Sequence, residues 1–159
     1  MSNSPLAFWT ARVEAQMDLR PCDGCDACGL RCAAGVPLSH QEYQTVRHYL
    51  QEPGRLREVR AVEEQDKQIH LGEGVVVRAC RFRDRKRGRC AIYPVRPLVC
   101  RLLGHVEWMP CPIGRIRRTA STADALEMMR AYAQQPRRTY EEWLAEDPAP
   151  HPGAREQAA

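Results

Sequence analysis

Four cysteines crowd into eleven residues, Cys22, Cys25, Cys28 and Cys32, in the spacing C-x2-C-x2-C-x3-C. No other stretch limits the fold as much. Gly24, Gly29 and Gly35 punctuate the run with tight turns, and the region is too loop-rich to fold by burial alone. Thiols this close in sequence do not readily pair with one another as disulfides. In a turning backbone they converge on one point, with amides directed at sulfur, and that is how a chain wraps a metal. Met1 to Leu19 lacks a charged start followed by an apolar run, so it does not read as a secretory leader, and the cytoplasm is the expected compartment. Thiols stay reduced there, so the eight cysteines are read as metal ligands and not as four bridges.

The spacing is that of bacterial ferredoxins around a four-iron cluster, where a proline follows the last cysteine; here Ala33 follows. Zinc sites more often take cysteines as pairs, with a second pair further on. Three cysteines at two-residue gaps lean toward an iron–sulfur centre, a 4Fe-4S cluster, and leave zinc open. The other four, Cys80, Cys90, Cys100 and Cys111, have nine, nine and ten residues between them and form no knuckle motif. A hairpin and the following loop, folded over the first run, would bring them to it. His105 lies between Cys100 and Cys111 and is the histidine best placed to complete a site.

Hydrophobic residues at 43% and charged residues at 28% belong to an ordinary globular chain. No apolar stretch approaches the ~18 residues that cross a bilayer, so no membrane partner is expected. A helix is expected over Leu6 to Leu19, with Leu6, Trp9, Val13 and Met17 on one face. A second starts at Ser39, where Ser39 and Glu42 form a capping box, and buries Tyr43, Val46, Tyr49 and Leu50. Leu56 to Lys67 reads as a short helix or a solvated loop. Val75 to Val77 reads as a strand, Arg83 to Arg89 as a turn around Gly88, and Cys90 to Tyr93 as the returning strand. A short helix is expected near Cys100. Ser121 to Gln135 is a helix with Leu126, Met129 and Tyr132 on its apolar face, and Thr139 caps a last turn or two. The expected fold is α+β and mostly helical: a small irregular metal-centred domain, 1–146, with a short β-hairpin and flanking helices. Residues 147–159 are Pro, Ala and polar, and read as a disordered tail.

Several of these segments together resemble a known family. They are the Cys22-to-Cys32 run, Cys80-Arg81-Phe82, Gly88-Arg89-Cys90-Ala91-Ile92-Tyr93, Arg96-Pro97-Leu98-Val99-Cys100-Arg101, and Cys111-Pro112. The resemblance is to the cysteine-cluster family (YkgJ-like) of zinc- or iron-chelating domains, over roughly residues 20 to 114. The Cys-x-Ile-Tyr-x-x-Arg-Pro-x-x-Cys-Arg stretch is its specific part. It implies that Cys80, Cys90, Cys100 and Cys111 join Cys22, Cys25, Cys28 and Cys32 as metal ligands. Family members often close the first run with two adjacent cysteines. Here Gly29 follows Cys28, and the fourth cysteine stands at Cys32. The family in turn resembles part of flagellin lysine N-methylase, which implies a protein-modifying enzyme as an alternative. No methyl-donor loop and no nucleophile–base pair is visible in this chain.

Arg78 to Arg101 is dense in cations, which read alone would suggest nucleic acid. Four thiolates around a doubly charged metal or cluster core keep two negative charges, however, and two such centres would cancel the formal charge of +4. No aromatic residue lies between Arg83 and Arg89 to stack on a base, so nucleic acid is not the expected partner and this segment reads as an exposed hairpin tip. Arg96 and Arg101 flank Cys100 and can donate to sulfur, and Tyr93 and Phe82 read as core packed beside the metal. An iron–sulfur centre would imply a redox role with a protein or redox partner. A closed zinc site would imply a scaffold for protein or nucleic-acid interaction.

Overall fold

The structure, a computed structural model, describes residues 4–25 and 27–147. It is α+β and mostly helical. The helices are α1 (Pro5–Glu14), α2 (His40–Leu50), α3 (Arg55–Glu63), α4 (Leu98–Leu102), α5 (Thr122–Ala133) and α6 (Tyr140–Glu146). Where one short hairpin was expected, eight short strands pair antiparallel in twos: β1 (Leu38–Ser39), β2 (Gln68–Gly72), β3 (Val75–Arg78), β4 (Arg83–Asp84), β5 (Arg89–Cys90), β6 (His105–Val106), β7 (Met109–Pro110) and β8 (Arg137–Arg138). No helix among the described residues is long and apolar enough to cross a membrane.

The caps read from the sequence are present. Ser39 and Glu42 form a reciprocal capping box on α2, and Thr139 and Glu142 form another on α6. Glu42 does more than cap. One of its oxygens accepts from the Ser39 amide (2.7 Å) and from the Tyr132 hydroxyl (2.7 Å), while the other accepts from the Leu98 amide (2.6 Å). One carboxylate thus joins α2, α5 and the start of α4.

Helix α1 stops at Glu14, short of the expected Leu19. Beyond it the chain turns to serve α5. Gln16 donates to Asp124 (2.7 Å) and accepts from the Ser121 amide (2.8 Å), and Arg12 pairs with Asp124 at 2.9 Å. The Arg12 and Gln16 bonds hold the Asp124 carboxyl below its usual range. Val75 to Val77 is a strand, but its partner is β2 and not Cys90 to Tyr93. Glu73 (φ 47°) and Gly74 (φ 78°) are both left-handed, the condition for a two-residue hairpin turn, so the strand closes locally. Cys90 instead ends a second hairpin, β4–β5, and Tyr93 begins a 3-10 turn.

Two apolar clusters flank the cysteine region. Leu38, Tyr43, Val46, Leu50, Val59, Phe82, Ile92 and Tyr140 form one, with Cys80 and Cys90 packed on it. Val13, Leu98, Leu102, Val106, Ala125, Met128 and Tyr132 form the other, and α1 and α5 face each other across it. The buried stripe of α5 is Ala125, Met128 and Tyr132; Leu126, expected inside, is 44% exposed. The expected tail begins at Asp147, which pairs with the buried Arg47; the rest of it lies outside the described residues.

The two faces of α5 should separate under mutation. Met128→Ala is expected to cost about 2–5 kcal/mol in denaturant unfolding. Leu126→Ala should stay within ~0.5 kcal/mol. Equal effects would place the stripe wrongly.

Candidate metal centre

The first cysteine run folds as two 3-10 turns, Arg20–Cys22 and Ala27–Arg31, linked by the Cys25 amide bonding to the Cys22 carbonyl at 3.0 Å. It lies directly on the β4–β5 hairpin. A Cβ built at Gly29 would come to 2.5 Å from the Gly88 carbonyl oxygen and 3.1 Å from the Arg83 guanidinium. A second cysteine adjacent to Cys28 therefore has no room here, which accounts for the fourth cysteine standing at 32.

After the run the chain becomes extended and pairs with the end of β3. The Ala34 amide bonds to the Arg78 carbonyl (2.9 Å) and the Cys80 amide to the Cys32 carbonyl (3.2 Å), around an Ala33–Ala79 bridge. This ladder sets Cys32 beside Cys80. Cys90 stands opposite Arg83 in the β4–β5 register, and Cys100 rides on α4, whose first amide is held by Glu42. Cys111 follows the β6–β7 hairpin.

The eight thiols, all partly buried, fall into two sets of four. Cys22 and Cys28 each feel the charges of Cys25 and Cys111, and Cys22 also that of Cys28. Cys22, Cys25, Cys28 and Cys111 line one narrow cleft. Cys32 feels Cys80, Cys90 and Cys100, and Cys100 feels Cys80 and Cys90. These four line a cavity of about 270 Å³, which Cys25 and Cys28 also line. The fourth cysteine of the run thus turns away from its first three and joins the remote ones. Cys111, the most distant in sequence, joins the first three.

The thiols differ in how their charge is treated. The contact between Cys32 and Cys80 draws Cys80 down to about 7 and pushes Cys32 up, because one proton serves both. Burial raises Cys90 to about 11 and Cys100 to about 12. Burial also pushes Cys111 up, but the backbone N–H groups of Ile116, Ile113, Arg115 and Gly114 outweigh it and leave the thiol lowered. Such a nest of amides is built for a thiolate. Backbone amides of Phe82 and Ile92 likewise bond the sulfurs of Cys80 and Cys90 two residues before them.

Cations close in around the sets. Arg96 stacks on Tyr93 at 3.6 Å and acts on Cys22, Cys28, Cys90 and Cys100, members of both sets. Arg101 instead pairs with Glu14 of α1. Tyr93, expected in the core, is 41% exposed, since the 3-10 turn at Pro94 directs it outward under Arg96. Phe82 is buried as expected, and Trp108 is 42% exposed on the β6–β7 turn. His105 is buried, with Nε2 3.6 Å from the Cys22 sulfur and Nδ1 without a hydrogen-bond partner among the described residues. Burial, reinforced by Arg96, lowers its pKa. It therefore stays neutral and has an N–H available for sulfur.

Two cations escaped the sequence reading. Arg83, read as part of an exposed tip, borders the thiol cavity, and its Nε and one terminal nitrogen are buried without hydrogen-bond partners among the described residues. Lys67 is buried and donates to the Arg83 carbonyl at 2.7 Å, within the field of Cys80 and Cys32. Spacing carries no signal for either; both are brought in by the hairpins. A buried guanidinium with idle donors is costly unless negative charge faces it. Thiolate sulfurs of a metal centre answer that need, and an all-thiol donor set suits zinc or iron–sulfur over hard cations. Among the described residues no group of three His, Cys, Asp or Glu side chains is placed to hold a metal ion as it stands.

Comparison with known families agrees with this donor set. A family model described as "CxxCxxCC: Putative zinc- or iron-chelating domain" matches residues 21–136. The chain belongs to that family. No curated protein matches the chain, and no solved structure matches it either. Zinc or iron is accordingly the cofactor class of this domain, and the match extends past the motif core through α5.

Gly29 gives a direct check on the packing. Gly29→Ala should lower unfolding stability by about 1–3 kcal/mol through overpacking. Gly29→Cys, which creates the adjacent pair common in the family, should cost at least as much. An Ala variant as stable as the parent would refute the close approach to Gly88.

Proposed function

We propose that the chain is an iron–sulfur protein with two cysteine-ligated centres and a redox role. Cys22, Cys25, Cys28 and Cys111 hold the first centre, and Cys32, Cys80, Cys90 and Cys100 hold the second. The observation that carries this is the separation of the thiols into two sets of four, with the run's first three cysteines in one and its fourth in the other. Two-cluster ferredoxins divide a run of this spacing in the same way. The second set lines a cavity of about 270 Å³ with Arg83 on its border, which also favours a four-iron cluster over a single metal there.

Such clusters supply one-electron transfer. The chain's own groups supply the setting. Arg96 offsets thiolate charge at both sets, the amides of residues 113–116 stabilise Cys111 as thiolate, and the neutral His105 donates an N–H toward Cys22. Such donors lower the electron density on sulfur and make a centre easier to reduce. Zinc at the second set is the other reading, favoured by the close Cys32–Cys80 contact, and would make that centre a structural clamp.

Metal and acid-labile sulfide content, with an absorption spectrum, on protein purified without oxygen decides between them. Brown protein with iron and sulfide in equal amounts is the expected result. Colourless protein with zinc and no sulfide would overturn the iron–sulfur reading and leave a scaffold.

Metal capture should also depend on pH in a definite direction. With Cys90 near 11 and Cys100 near 12, both keep their protons at neutral pH, and ligation must expel them. A raised thiol pKa favours the protonated, metal-free form below that value. Apparent affinity should therefore rise with pH and fall on acidification, and acid should appear in a weakly buffered solution as Cd²⁺ is added. Metal uptake without proton release would rule out ligation by Cys90 and Cys100.

A further inference from the structure

A groove of about 590 Å³ opens between the first cysteine run and α3. It is lined by Arg55, Arg87, Arg89 and Arg96 and by Cys22, Cys25 and Cys90. Thiols of both sets therefore meet the same opening. The acidic residues along it, Asp23, Glu58 and Asp84, are fewer than the arginines and poorly matched to them. Arg55 stands 3.5 Å from Glu52 and 3.7 Å from Glu58, and Arg87 stands 3.9 Å from Asp84. All three separations exceed the ~2.7–3.2 Å of an ordinary N–H···O bond, so guanidinium donors remain available. Arg89 and Arg96 have no carboxylate partner among the described residues.

Two of the arginines are also held in place. Arg55 lies 4.9 Å over the Tyr49 ring and Arg96 lies 3.6 Å over Tyr93. A guanidinium fixed on an aromatic face loses little further freedom when it binds, and its planar fork matches carboxylate and phosphate oxygens in pairs. The volume lies in the range of small-molecule sites. With a guanidinium on each tyrosine ring, recognition here runs through charge and not through base stacking.

We propose that this groove binds a small polyanion, a molecule bearing two or more carboxylate or phosphate groups, with Arg89 and Arg96 as its anchors and Arg55 and Arg87 as supports. Bound there, the anion lies against Cys22, Cys25 and Cys90, and so controls what reaches both thiol sets. The site needs the arginines and the fold, and does not rest on the iron–sulfur reading.

Calorimetric titration of the full chain with citrate and, separately, with inorganic pyrophosphate tests it, with metal content measured in the same samples. Saturable binding of either probe at near one equivalent is expected; the tighter probe tells a carboxylate ligand from a phosphate ligand. Arg89→Gln should weaken binding by roughly tenfold or more, and Arg55→Gln/Arg89→Gln further, at unchanged metal content. Absence of saturable binding of both probes to the parent chain, or equal binding by the double variant, would overturn the site and leave the arginines as counter-charges for the thiols. Anion binding retained in a chain that takes up no iron would support the groove and count against the iron–sulfur reading alone.

Discussion

The Gly88 carbonyl oxygen lies where a side chain on residue 29 would have to begin, so the first cysteine run and the β4–β5 hairpin meet backbone to backbone. Much of the cysteine region depends on that approach. It brings Cys28 to the border of the cavity that holds Cys80 and Cys90, and it lets the chain leave the run extended, so that residues 32–34 pair with 78–80 and set Cys32 against Cys80. Any side chain at position 29 would push these layers apart and separate the two halves of the second thiol set.

The cysteine region has little apolar surface of its own and is held from outside by two packed clusters. Glu42 connects them. It caps α2 in the first, accepts from Tyr132 in the second, and anchors the helix that carries Cys100. A carboxylate with several donors is a stable charge even when partly buried, and its position on Leu98 N fixes the start of α4 relative to α2. The geometry of Cys100 is therefore set by a hydrogen bond to a helix cap more than fifty residues away in sequence.

Charge supplies the second constraint. The thiols that burial raises to about 11 and 12 share their cavity with Arg83, Lys67 stands in the field of Cys80 and Cys32, and Arg96 reaches both sets. Protonated thiols do nothing for these cations, whereas thiolates on a metal satisfy them. On the proposed ligation, metal capture and the packing of this region are linked through the same charges, and the cationic stretch that read alone suggests nucleic acid is partly turned inward.

The sequence alone determined the features whose physics is local. Helix caps at Ser39 and Thr139, the apolar face of α2, the turn at Gly88 and the metal-binding character of the cysteine run all depend on residues a few positions apart. The family was legible for the same reason, because its motif is carried in short segments. The hairpin partner of Val75 to Val77 was missed, since the Glu73-Gly74 turn is recognised only by its left-handed angles. The face of α5 was misread by a residue because α1 and the Gln16 bridge, not the period alone, decide which side is buried. Only the tertiary structure decided how the cysteines are shared, with Cys32 leaving its own run and Cys111 joining it, and that Arg83 and Lys67 stand beside the thiols. Those outcomes depend on strand pairing and on contacts between segments far apart in the chain, and spacing in sequence holds no record of either.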